Sequence, residues 1–204
     1  MSKAAQTRAA ILRAARGFLQ ERPFRDLTVG ALMAEAGASR ATFYQYFDDL
    51  HGLMATLLDE VKGSIVEGAQ PWLSGQGAPG ENLRASLAAL VSVGEAQGFI
   101  LRAVAEAATQ DARLEAVWEA FLGAFDEVVA ARIEVDQDAG LIASFDPFPV
   151  ARALNRMDAA YLIAAFGSAE KEAPASVLAA IERIWLSTLY PEAVPGTAAG
   201  SSKE

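Results

Sequence analysis

Apolar residues recur at three- and four-residue intervals along most of this chain, the spacing that gives a helix one buried stripe. Over residues 1–20 the stripe is Ile11, Ala14, Ala15, Phe18 and Leu19. Arg22-Pro23 then ends the helix, because a residue before proline is pushed out of the α region. Val29, Leu32, Met33 and Ala36 repeat the pattern in a short helix opened by Thr28, whose hydroxyl can accept an orphan backbone N–H. Gly37 stands where the chain leaves that helix with a positive φ. Ser39 is a second N-cap, opening a helix that carries Arg40, Ala41, Thr42, Tyr44, Gln45 and Tyr46, with Phe43 and Phe47 facing inward. A longer helix covers about 49–69, and the Gly- and Pro-rich residues 70–80 read as a loop. Helical patterns follow at about 81–97, 99–109 and 112–138, then a break over 139–149 and two last helices at about 150–168 and 174–190. Residues 191–204 are small and polar and read as a disordered tail. The pattern predicts an all-α fold of about nine helices.

A cap, a small-residue turn and a second, polar and aromatic helix make a helix-turn-helix. Its residues, Leu27-Thr-Val29, Ala36-Gly-Ala-Ser-Arg40 and Thr42-Phe-Tyr-Gln-Tyr-Phe47, resemble the DNA-binding domain of the TetR family of transcriptional repressors in order and spacing. The resemblance covers roughly residues 3–69. Trp118-Glu-Ala-Phe121, Ala153-Leu-Asn-Arg-Met-Asp158 and Ile184-Trp-Leu-Ser-Thr-Leu-Tyr190 resemble segments of the ethionamide-repressor branch of that family. It implies a three-helix DNA-binding domain over 1–50 and a helical regulatory domain over 51–190, the latter enclosing an apolar channel for a small effector and holding the dimer contact. It also implies a homodimeric repressor that binds a pseudo-palindromic double-stranded operator and releases it when a small hydrophobic effector is bound.

The net charge of −9 sits awkwardly with DNA binding until the chain is divided. Residues 1–50 hold seven Lys/Arg against five Asp/Glu, a charge of +2, so the remainder carries −11. That asymmetry places the electrostatic footprint at one end and implies salt-sensitive binding with few phosphates neutralised per subunit. There are no cysteines, which suits a reducing cytoplasm, and one histidine cannot build a zinc site of the usual kind. No cofactor or metal is implied, and no apolar run reaches the ~20 residues of a membrane span. The chain has no Gly-rich phosphate loop, no HExxH and no Gly-x-Ser-x-Gly elbow, so an enzyme is the remotest class. A helical protein that binds or sequesters small molecules, with weak or lost DNA binding, is the nearer alternative.

At the DNA end the candidates are Thr28, Ser39, Arg40, Ala41, Thr42, Tyr44, Gln45, Tyr46 and His51. Arg40 can read guanine O6 and N7 as a bidentate donor, or hold a phosphate. Gln45 can touch either, while Thr28, Thr42, Tyr44 and Tyr46 match family positions that hold the DNA backbone. Leu50 stands where the family usually has a lysine, and the adjacent His51 either supplies the missing phosphate donor or has no role. Asp48 and Asp49 beside them would repel a phosphate.

In the second half, Leu83, Leu87 and Leu90 share one helical face and Trp118, Phe121, Leu122, Phe125 and Val129 another. Such stripes alone are as readily plain core. Asn155, Asp158 and Trp185 add the few polar groups that a small-molecule site needs. Asn155 matches an amide position that holds ligands in the similar repressors. Asp158 replaces a second amide there, and favours a ligand that donates unless it pairs with Arg152 or Arg156. The last two helices supply the expected dimer surface: Ala159, Ala160, Ala164 and Ala165 on one, Val177, Leu178, Ile181 and Ile184 on the other. The same residues would also serve as intrachain core. Gly94 and Gly98 give a small-xxx-small spacing that in a soluble helix means close packing.

Overall fold

The computed structural model describes residues 2–193, which form eight α-helices: α1 (Lys3–Glu21), α2 (Val29–Glu35), α3 (Arg40–Phe43), α4 (Leu50–Leu73), α5 (Pro79–Ala108), α6 (Ala112–Asp138), α7 (Pro147–Phe166) and α8 (Pro174–Leu189). Short 3-10 turns lie at Phe24–Asp26 and Pro191–Ala193, and no strand occurs among the described residues. The all-α expectation holds.

The helix starts follow local chemistry. Side-chain oxygens of Ser2, Thr28, Ser39, Asp49, Asp111 and Asp146 cap six helices by accepting backbone N–H groups of the first turn. Pro79, Pro147 and Pro174 each occupy the first turn of a helix, where a missing N–H costs nothing. This is why α7 begins at Pro147 rather than near residue 150. Gly37, at φ +67°, reverses the chain between α2 and α3.

Tertiary contacts override local rules at two places. The expected loop from residue 70 is helical to Leu73, with Pro71 inside the last turn. Ser86, from α5, repairs that stretch: its hydroxyl donates to the Ala69 carbonyl and accepts from the Trp72 N–H, each at 3.2 Å. The expected helices at 81–97 and 99–109 are one helix, so the described residues hold eight α-helices rather than nine. Gly98 does not break α5 because its bare backbone lies against α7. A Cβ there would sit 3.0 Å from the Phe166 main chain, and one on Gly94 would sit 2.8 Å from Leu162. The two glycines are a close-packing groove.

Continuous α5 is long and apolar enough to cross a bilayer, contrary to the sequence expectation that split it. Its apolar surface is instead taken up by α1, α4, α6, α7 and α8, which all pack on it. Two hydrophobic clusters result. One joins α1–α3 to Leu53–Val61 of α4, Phe99–Val104 of α5 and Leu114–Leu122 of α6. The other joins Trp72, Leu83–Val91 and Val129–Ile133 to α7 and α8. Helices α4, α5 and α6 each serve both.

The 3-10 turn at Pro191–Ala193 is seated by Arg84, which donates to the Ala193 carbonyl, so that part of the expected tail is ordered. Residues 194–204, the rest of that expectation, lie outside the described residues.

Candidate functional site

Helices α2 and α3 with the Gly37 turn form the expected helix-turn-helix, held from below by Leu32, Met33, Phe43 and Phe47. Helix α3 is a single α-turn. Beyond Phe43 the chain continues in tighter turns, with Gln45 N–H on the Thr42 carbonyl at 3.2 Å and Tyr46 N–H on Phe43 at 2.9 Å. Arg40, Ala41, Tyr44 and Gln45 are exposed, Tyr44 by 60%, and form one outward surface. The Arg40 side chain lies over Gly30, where a Cβ would displace the guanidinium. Thr28 and Ser39 are exposed but engaged as caps, through Ala31 N–H at 3.1 Å and Thr42 N–H at 3.2 Å. The Ser39 and Thr42 hydroxyls also bond each other at 2.9 Å. Tyr46 is half-buried against the core.

The structure corrects His51 and its surroundings. Its Nε2 lies 2.6 Å from Asp111 Oδ2, its ring packs edge-on to Phe24, and its Nδ1 is 3.8 Å from Asp49. The imidazole therefore ties the start of α4 to the cap of α6 and does not face outward as a phosphate donor. Leu50 is half-buried against the first cluster, a core residue. Asp49 caps α4 through Gly52 N–H and pairs with Arg113 at 2.8 Å, both of which hold its carboxyl below the ordinary value. Asp111 is held low in the same way, first by His51 and then by the amides it caps. Asp49 is thus an ion-paired cap, whereas its neighbour Asp48 is exposed.

At the other end, a cavity of about 100 Å³ lies between α4, α5, α6, α7 and α8. Ten of the eleven expected residues line it: Leu83, Leu87, Leu90, Phe121, Leu122, Phe125, Val129, Asn155, Asp158 and Trp185. Trp118 does not. It stacks on Phe121 at 5.4 Å and supports the wall from behind. The sequence reading missed the wall supplied by α4, namely Ile65, Val66, Ala69, Trp72 and Leu73. Their i, i+1, i+4, i+7, i+8 spacing is a usable signal, masked because the Gly- and Pro-rich residues from 70 onward read as a loop.

Apart from the Asp158–Trp185 pair, the polar groups around the cavity form two sets. Asn155 donates to Asp126 at 3.0 Å, and Arg156 pairs with Asp126 at 3.3 Å and Glu119 at 3.0 Å. Asp158 therefore pairs with neither arginine that the sequence offered. It is 4% exposed, its Oδ2 accepts from Trp185 Nε1 at 2.9 Å, and its Oδ1 is buried without a partner. Burial pushes its carboxyl up to about 8. The second set runs from Trp72 Nε1 to the Tyr190 hydroxyl at 2.8 Å, and from Tyr190 through Asp136 to Arg132. Burial and the Asp136 carboxylate raise the Tyr190 phenol, keeping it a donor. Trp72 and Trp185 meet edge to face at 5.8 Å, so the end of α4 touches the wall that holds Asp158.

The expected dimer surface needs correction at four positions. Ala165, Val177 and Ile181 are fully buried within the single chain, in the second cluster, and cannot also lie between copies. Ala159 lines the cavity. Ala160, Ala164 and Ile184 are exposed and Leu178 is half-buried.

Residues 83–191 match the family described as Transcriptional regulator EthR, C-terminal domain, and residues 11–56 match that described as Bacterial regulatory proteins, tetR family. The HTH-type transcriptional regulator EthR of Mycobacterium tuberculosis (strain CDC 1551 / Oshkosh) is 29% identical over 187 residues, covering 90% of this chain and 87% of its own. The crystal structure of a TetR-family regulator from Rhodococcus sp. superposes with a TM-score of 0.74 at 20% identity, covering 91% of this chain and 99% of that one. One from Syntrophomonas wolfei reaches 0.79 at 15% identity, covering 90% and 94%. The chain belongs to the TetR family of transcriptional regulators, in its EthR-like branch, and is a regulator of transcription rather than an enzyme.

Proposed function

We propose that this regulator is a cytoplasmic homodimeric repressor that holds a pseudo-palindromic operator until a small apolar effector fills the cavity. Residues 1–50 act as the reading unit and 51–190 as the regulatory one. Arg40, Ala41, Tyr44 and Gln45 enter the major groove or brace its edge, with Arg40 as the base reader. The exposed remainder of the expected interface, Ala160, Ala164 and Ile184 with Leu178, joins the two copies. A dimer is needed because two reading heads must sit about one DNA turn apart, ~34–36 Å or a multiple.

One observation carries this reading. Helix α4 forms a wall of the cavity at its C-terminal end and seats the helix-turn-helix at its N-terminal end. A guest that presses on Ile65, Ala69 or Trp72 therefore moves the lever on which the reading head rides. A coupling of about 1–3 kcal/mol would release the operator.

The test is binding of the purified protein to DNA fragments it selects from a random pool, followed by fluorescence anisotropy across salt concentrations. Specific binding that weakens steeply with salt, and is reversed by short-chain apolar compounds, is expected. Val129→Trp, which fills the cavity, should blunt that reversal. Ile184→Glu should give helical monomers that no longer bind the selected DNA. Tight DNA binding by a species that sediments as a monomer would refute the dimer mechanism.

A further inference from the structure

The cavity has a chemical bias that its apolar walls conceal. Two side chains bring unsatisfied polarity to it, and both can act as acceptors. Asn155 commits an amide hydrogen to Asp126, and no described residue bonds its amide oxygen. Asp158 has one oxygen on Trp185 and the other buried with no partner. No lysine, arginine or histidine lines the space, and the nearby guanidiniums are held elsewhere, Arg156 by Asp126 and Glu119 and Arg132 by Asp136. A carboxylate guest would find only the second Asn155 amide hydrogen and the Asp158 acid proton as donors, and no cation to balance its charge. A carbonyl guest could take those donors but would leave the Asn155 oxygen unused. An ammonium carries three donors and no acceptor, and so matches both oxygens.

We propose, building on the effector reading above, that Asp158 is the recognition carboxyl of the cavity and that its guest is a small apolar amine, bound as the ammonium with Asn155 as second acceptor. The walls from α4, α5, α6 and α8 contribute no titratable group. Arg156 is held away by Asp126 at 3.3 Å and by Glu119 at 3.0 Å. Near pH 7 the empty site holds Asp158 mainly as the neutral acid, since its carboxyl stands at about 8. Entry of an alkylammonium then converts carboxylic acid and ammonium into a carboxylate–ammonium pair, and one proton leaves to solvent.

Titration calorimetry of the full chain with n-hexylamine, 1-hexanol and hexanoate tests this directly. Hexylamine should bind at least tenfold more tightly than hexanol, with hexanoate weakest. At pH 7, in buffers of different ionisation enthalpy, the amine should release close to one proton and the alcohol none. Asp158→Asn, with helicity checked by circular dichroism, should bring hexylamine down to the level of hexanol and abolish its proton release. Hexanol or hexanoate matching hexylamine on the native chain would overturn the proposal, as would amine binding without proton release. If hexanol binds and reverses DNA binding but the amine has no advantage, the effector reading stands and the amine inference falls. If none of the three binds, both fall.

Discussion

The DNA-reading end and the cavity end treat polar side chains in opposite ways. Around α2 and α3 every engaged polar group is satisfied locally: Thr28 and Ser39 cap the next turn, Ser39 and Thr42 share a bond, and Arg40 rests over Gly30. That surface is finished before DNA arrives, and its task is to present shape and charge. Around the cavity the reverse holds, because Asp158 is buried with an oxygen left over. A buried polar atom without a partner costs free energy that a guest can recover. Recognition is therefore built at one end from completed surface chemistry and at the other from a deliberate deficit.

The largest effect that would break this contrast is on stability. The Asp158 carboxyl titrates near 8 in the fold against 3.8 when unperturbed. Between those values the folded state keeps a proton that the unfolded state releases, so stability falls as pH rises. The slope is about 1.4 kcal/mol per pH unit. Asp158→Asn removes the titration, so the variant should gain nothing near pH 4, about 4 kcal/mol at pH 7, and level off above pH 8. Urea denaturation across that range checks it. A gain independent of pH would show that the carboxyl is not buried in deficit.

Next in size is Arg40→Ala, which should lose about 1–3 kcal/mol on the selected DNA and relax preference at one base pair per half-site. Equal loss on all sequences in a binding-selection assay would make Arg40 a phosphate contact instead. A pair of glycines probes the border between the two ends. Gly98→Ala drives a methyl into the Phe166 main chain and should destabilise by about 1–3 kcal/mol. Gly123→Ala, in the middle of α6 with nothing within 4 Å, should stabilise by about 0.5–1 kcal/mol. Thermal unfolding of the two variants should move in opposite directions. The smallest effect belongs to His51→Gln. With the imidazole held by Asp111, the salt dependence of DNA binding should stay unchanged, whereas a lost phosphate contact would reduce the slope by about 1.

What could be read from sequence divides along the same line. The caps at Thr28 and Ser39 and the turn at Gly37 are local, so the helix-turn-helix was legible residue by residue. The cavity faces of α5, α6 and α7 were legible from helical spacing and the family resemblance. The role of His51 was not, because its partner lies sixty residues away. Pro71 and Gly98 misled for a related reason. Their local tendency to break a helix is outweighed by Ser86 in one case and by the close approach of α7 in the other. For α8, the stripe Val177, Ile181 and Ile184 announced burial without saying against what. The first two face their own chain and the third does not.

The sharing of α4, α5 and α6 between both clusters bears on how such a regulator can be rebuilt. A chimera cut after residue 50, with a foreign sensor grafted on, would separate α1–α3 from Leu53, Met54, Leu57, Leu58 and Val61, and also from Phe99–Val104 and Leu114. The reading head is therefore not a portable module in the sense of a cassette. A working transplant has to carry the first three turns of α4 and reproduce the apolar ends of the next two helices, so the seam between specificities runs across these helices and not through a linker.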